Sequence, residues 1–103
     1  MPTGERKLFF KIYYSNPQVS FLSGKRLFPP EHPRFFHQFS HVFGKGRHPD
    51  LRLEEWNIIM VLPDEHHAQE FMDYDRRKRL MPECDWDKLE RYKEQMREQH
   101  IIR

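Results

Sequence analysis

His41, Asn57 and His66 are the residues whose types and spacing could do chemistry together. Ser40-His41 closes one β-rich segment, Asn57 opens another, and His66 follows the helix-starting run Pro63-Asp64-Glu65. A hairpin brings the end of its first strand beside the start of its second. A helix packed back across that hairpin can then present His66 to the same spot. Two imidazoles would converge there with an amide behind them. Neutral histidine, with an unperturbed pKa of about 6.5, can accept a proton from water or offer a lone pair to a metal.

The surrounding elements must bring these residues together. Lys7 to Tyr14 is rich in strand formers and reads as a β-strand ended by Ser15-Asn16-Pro17. Val19 to Leu22 reads as a second short strand. The three prolines between Phe28 and Pro33 exclude regular structure, because each removes a donor and fixes φ. Phe35 to Phe43 resumes a strand, Gly44-Lys45-Gly46 breaks it, and a loop through Pro49 runs to about Glu55. Asn57 to Leu62 is the most apolar run and reads as a buried strand. Pro63 with two acidic residues starts a helix that continues to about Arg79, with Pro82 ending it. A last helix over about 85–99 carries Trp86, Leu89, Tyr92 and Met96 on one face. The expectation is a single α+β domain over 1–103.

Composition narrows the classes. Apolar residues are 37% of 103 and charged residues 33%, yet nine Phe, four Tyr and two Trp argue against a disordered chain. No uncharged apolar run approaches a membrane span and no signal-peptide core opens the chain, so a cytoplasmic protein is expected. The single Cys84 excludes an internal disulfide and a Cys-x-x-Cys zinc knuckle. Any metal site must therefore use His, carboxylate and water, ligands that suit Mg²⁺, Mn²⁺, Zn²⁺ or Ni²⁺ according to geometry. Net charge is only +2, but Leu22 to Arg52 holds six cations against two carboxylates, and Arg76-Arg77-Lys78-Arg79 forms a second basic block. Two such blocks flanking a His-rich segment point to a polyanionic partner, most simply nucleic acid.

The segments Phe39-Ser40-His41-Val42-Phe43-Gly44-Lys45-Gly46, Leu53-Glu54-Glu55-Trp56-Asn57-Ile58-Ile59 and Pro63-Asp64-Glu65-His66-His67 resemble the HNH endonucleases, most of all the small HNH proteins common in phages and prophages. The likeness runs from about Phe21 to Asp75. It implies a ββα-metal (His-Me finger) core over about 35–75, extended by an N-terminal strand and a C-terminal helix. It also implies an endonuclease or nickase that hydrolyses DNA phosphodiesters. In that reading His41 is the general base, Asn57 braces the loop, and His66 binds one divalent metal, Mg²⁺ or Mn²⁺ first among the candidates. The sequence departs from the family pattern in two places. Leu62 and Glu65 stand where many members carry zinc-binding cysteines, so no structural zinc is expected. Ser40 stands where an acidic residue or histidine often binds the metal. A second ligand then comes from Glu70, one helical turn after His66, with His67 and Asp64 weaker candidates.

Lys45, Arg47 and Arg52 lie in the loop between the motif strands and are expected to contact the DNA backbone rather than base edges. The clustered phenylalanines and the stripe of the last helix read as core, and Cys84 as a bystander. The alternative to a nuclease is a non-catalytic nucleic-acid-binding or phage assembly protein that keeps the same scaffold.

Overall fold

The computed structural model describes residues 4–100 and residue 102, so residues 1–3, 101 and 103 of the expected domain lie outside it. The first element corrects the sequence reading. Glu5–Ser15 is a helix, α1, where a strand was expected over Lys7 to Tyr14. The physical reason is which residues share a face. A strand would put Lys7 and Lys11 on the same side as Phe9 and Tyr13. The helix instead buries Glu5, Phe9, Ile12 and Tyr13 together and leaves both lysines exposed. Packing thus overrides the strand preference of the aromatic residues.

Val19 to Leu22 is not a strand either. Val19 and Arg26 form an isolated antiparallel bridge around a tight turn, with Gly24 at φ 74°. The proline segment is irregular, as expected. It is fastened by Gln38, fully buried, whose side-chain oxygen accepts from the Phe28 amide at 2.6 Å while its nitrogen donates to the Phe28 and Phe35 carbonyls.

The expected strand over Phe35 to Phe43 is shorter than read. Phe35–Gln38 is a 3₁₀ turn, and only Phe39–His41 forms strand β1. The turn lets Phe35, Phe36 and Phe39 crowd against Phe9 and Phe10, with Phe9 and Phe39 stacked at 4.3 Å. A loop with a 3₁₀ turn at Pro49–Leu51 and another at Glu55–Asn57 leads to strand β2, Ile58–Met60. The two strands are antiparallel, with Phe39 opposite Met60, Ser40 opposite Ile59 and His41 opposite Ile58.

This small sheet has two buried faces. Phe39, Ile58 and Met60 join Phe9, Ile12, Tyr13, Leu27 and Phe35 under α1. Ile59, Val61 and Val42 join Ala68, Trp86, Leu89 and Met96 on the other side. The alternation of a pleated strand supplies both cores from one hairpin.

The expected single helix from Pro63 to about Arg79 is two helices. α2 spans Pro63–Phe71, and α3 spans Tyr74–Leu80, begun by Asp73, whose carboxylate accepts from the Arg76 amide. An Asp before the run of cations is an N-cap, which breaks the helix at Met72. Arg77 folds back to donate to the Ala68 and Gln69 carbonyls at the end of α2. The last helix, α4, is Trp86–Gln99, close to the expected 85–99, and its Trp86, Leu89 and Met96 are buried. Among the described residues, the result is a small α+β domain of four α-helices and one two-stranded antiparallel sheet. Among the described residues, no helix is long and apolar enough to cross a membrane.

Glu65, 1% exposed, ties three segments together. It accepts from the Ser20 and Ser23 hydroxyls and from the Leu62 amide at the start of α2. Burial first, and this carboxylate next, push the Cys84 thiol up to about 12, so it is a neutral thiol at neutral pH. Glu65→Ala strands two hydroxyls and an amide, and should cost about 3 kcal/mol or more in a urea titration. Loss of less than about 1 kcal/mol would show that Glu65 is not a joint of the fold.

Candidate functional site

His41 ends β1, and its Nε2 lies 2.9 Å from the Arg52 carbonyl. A carbonyl only accepts, so this nitrogen carries the proton and Nδ1 keeps its lone pair. Arg52 belongs to the loop between the strands, and that loop is held by Asn57. The Asn57 side chain, fully buried, donates to the Phe43 and Leu51 carbonyls at 3.1 Å each and accepts from the Phe43 amide at 2.8 Å. Leu51 is the residue before Arg52. One amide therefore fixes the loop that fixes the His41 ring.

His66 sits in the first turn of α2, with Nδ1 2.9 Å from the His37 carbonyl. By the same argument Nδ1 is the protonated nitrogen, and Nε2 is free. That free nitrogen is 3.9 Å from Glu70 Oε2, one turn along the helix. A histidine that donates its other N–H to a backbone carbonyl is oriented as metal-binding histidines are.

His41, His66, Glu70 and Ser40 line one cleft of about 240 Å³, together with Gly44, Lys45, Gln69 and Lys93. The structure thus brings His41, His66 and Glu70 together, and Asn57 supports them from inside. Ser40 is different. It is buried, and its hydroxyl donates to Gln69 Oε1 at 2.8 Å, which makes it a hairpin-to-α2 fastener. Gln69 also approaches the His41 carbonyl at 3.4 Å. Among the described residues, no group of three His, Cys, Asp or Glu side chains is arranged to hold a metal. His67 and Asp64 are exposed, and Asp64 pairs with Arg34.

Of the three loop cations expected to meet DNA, two face inward partners. Lys45 Nζ lies 3.5 Å and Arg52 Nε 3.7 Å from the carboxylate of Glu5, which is only 3% exposed. Arg47 alone among the three has no carboxylate within bridging distance among the described residues. Sequence reading missed Glu5 because the segment read as a strand with its first residues outside. It also missed Lys93, although a signal existed. Lys93 falls four residues after Leu89 and three before Met96, a cation inside an apolar stripe.

Against models of protein families, against curated proteins and against solved structures, the chain finds no match.

Burial holds the His41 imidazole below its ordinary pKa of 6.5, with Lys45 and His66 adding repulsion while the Arg52 carbonyl and Glu5 oppose. His41 is therefore mostly neutral at pH 7. Because the folded pKa lies below the unfolded one, this residue costs stability as pH falls below 6.5. An NMR titration should place the His41 midpoint below 6.5, with Lys45→Gln moving it up and Glu5→Gln moving it down. A midpoint above 6.5 would mean that the Arg52 carbonyl and Glu5 outweigh burial.

Proposed function

We propose that this chain is a metal-dependent DNA endonuclease or nickase of the HNH type, with β1, β2 and α2 as its ββα-metal unit. One observation carries the reading. Each of the two imidazoles in the cleft has one nitrogen tied to a backbone carbonyl and the other left basic. That is the division of labour phosphodiester hydrolysis needs, one nitrogen for a proton and one for a metal.

In this reading His41 Nδ1 takes a proton from the water that attacks phosphorus, and the P–O3′ bond breaks. The Arg52 carbonyl holds the tautomer that keeps Nδ1 bare, and it favours the imidazolium formed when the proton arrives. Asn57 keeps that carbonyl in place through the loop. His66 Nε2 and Glu70 are the residues that would hold a divalent ion, and two protein ligands suit Mg²⁺ or Mn²⁺, which keep waters and take phosphate oxygens. When bound, the ion would offset charge growing on the phosphoryl and leaving oxygens. Lys45 on the cleft wall and Arg47 on the loop supply cations for the backbone, which gives affinity without base readout.

The test is nicking of supercoiled plasmid with Mg²⁺, Mn²⁺ or EDTA, alongside calorimetric titration of the metal. Wild type should nick only with metal. His41→Ala should lose about 10²–10⁴-fold in rate and keep metal affinity, because a base need not touch the ion. His66→Ala should lose both. Full activity in His41→Ala would place the base elsewhere. A wild type that neither binds a divalent ion nor nicks DNA would leave the non-catalytic nucleic-acid-binding or assembly role.

A further inference from the structure

Beside the His41–His66 cleft lies a second cleft of about 420 Å³, between the Gly44–His48 loop and α4. Arg47, His48, Lys93 and Arg97 line it, and among the described residues no Asp or Glu does. Val42, Gly44 and Lys93 line both clefts, so the two adjoin. We propose that this second cleft is a phosphate-binding site, which holds the DNA backbone next to the phosphodiester seated between His41 and His66. It rests on the reading of the first cleft as a DNA site, and adds α4 as the element that holds the flanking strand.

Three observations support it. First, the cations are placed by packing rather than left to wander. The buried Phe43 ring has the Arg97 guanidinium over it at 5.4 Å and the His48 ring edge-on at 5.8 Å. Second, their existing partners are weak. Arg97 pairs with exposed Glu94 at 3.7 Å and Lys93 with Glu90 at 3.8 Å, both i,i+3 pairs of the kind that contribute little and yield readily to phosphate. Third, the charges there repel one another. Burial chiefly, with Arg77 and Arg97 adding to it and Glu90 opposing, holds the Lys93 ammonium below its ordinary range, and an anion in the cleft would offset that.

Access is open as well. A Cβ built at Gly44, on the boundary between the clefts, would meet nothing within 4 Å. No side chain therefore stands over the loop backbone at the boundary between the two clefts. The basic run on α3 is the competing surface, and its Arg77 is already occupied with carbonyls of α2.

The experiment is fluorescence anisotropy with a short fluorescein-labelled DNA duplex in EDTA, so that binding is read without cleavage. Arg47→Gln/Arg97→Gln is compared with Arg76→Gln/Arg79→Gln, which removes the same charge from α3. Circular dichroism first confirms that both variants fold. The cleft pair should lower the slope of log affinity against log salt by about 1.8 and weaken binding about tenfold or more at about 0.1 M salt. The α3 pair should change affinity by less than about twofold. Equal losses in the two variants, a loss confined to the α3 pair, no loss in either, or no duplex binding by wild type would each overturn the proposal. The plasmid assay separates this result from the catalytic reading. A variant pattern as expected in a protein that never nicks keeps the second site and removes the nuclease. Nicking with equal losses does the reverse.

Discussion

The site depends on the side-chain amide of Asn57. It joins the start of the loop between the strands to the segment before Arg52, donating to Phe43 and Leu51 and accepting from Phe43. A loop this long has many conformations, and a buried amide with three hydrogen bonds selects one of them. The Arg52 carbonyl follows from that choice, and the His41 tautomer follows from the carbonyl. Replacing Asn57 would remove no atom from the cleft, yet would release the ring that faces it.

A second constraint acts on the same loop from the other side. Glu5 of α1 is a buried carboxylate between Lys45 and Arg52, and among the described residues neither its Oε2 nor Arg52 Nε has a hydrogen-bond partner. A half-buried ion pair with incomplete hydrogen bonding contributes little to stability, so its role is one of position. It ties α1 to the residue whose carbonyl orients His41. The helix turns Glu5 inward together with Phe9, Ile12 and Tyr13.

Much of the middle of the chain was legible. Gly44 to Gly46, the apolar run from Ile58 and Pro63 each punctuate the backbone strongly, and β1, the loop, β2 and α2 fall in that order. The α4 stripe was legible from its spacing. What failed had local signals that competed. Phe9, Phe10, Tyr13 and Tyr14 favour strands by composition, and only the partners of the opposite face decide for a helix. Phe35 to Gln38 looked extended until Gln38 is seen fastening the proline segment to the hairpin. Asp73 was a cap hidden before a basic run. At the site, the three motif residues were legible by type and spacing. The carbonyls that orient two of them were not, because a backbone atom leaves no trace in a sequence. Glu5, Gln69 and Lys93 arrive from elements distant in the chain, and only the packing of α1, α2 and α4 on the hairpin brings them in.

The central claim is that burial holds His41 neutral while a chain of hydrogen bonds from Asn57 through the loop fixes its tautomer, with the proton on Nε2 and the lone pair on Nδ1. A long-range ¹H–¹⁵N correlation spectrum of the His41 ring at neutral pH reads that state directly, with no metal or substrate needed. The account predicts the Nε2–H tautomer in the wild type, and a mixture of tautomers in Asn57→Ala. An Nδ1–H tautomer or a charged ring in the wild type would contradict it, as would an unmixed Nε2–H tautomer that persists when Asn57 is removed.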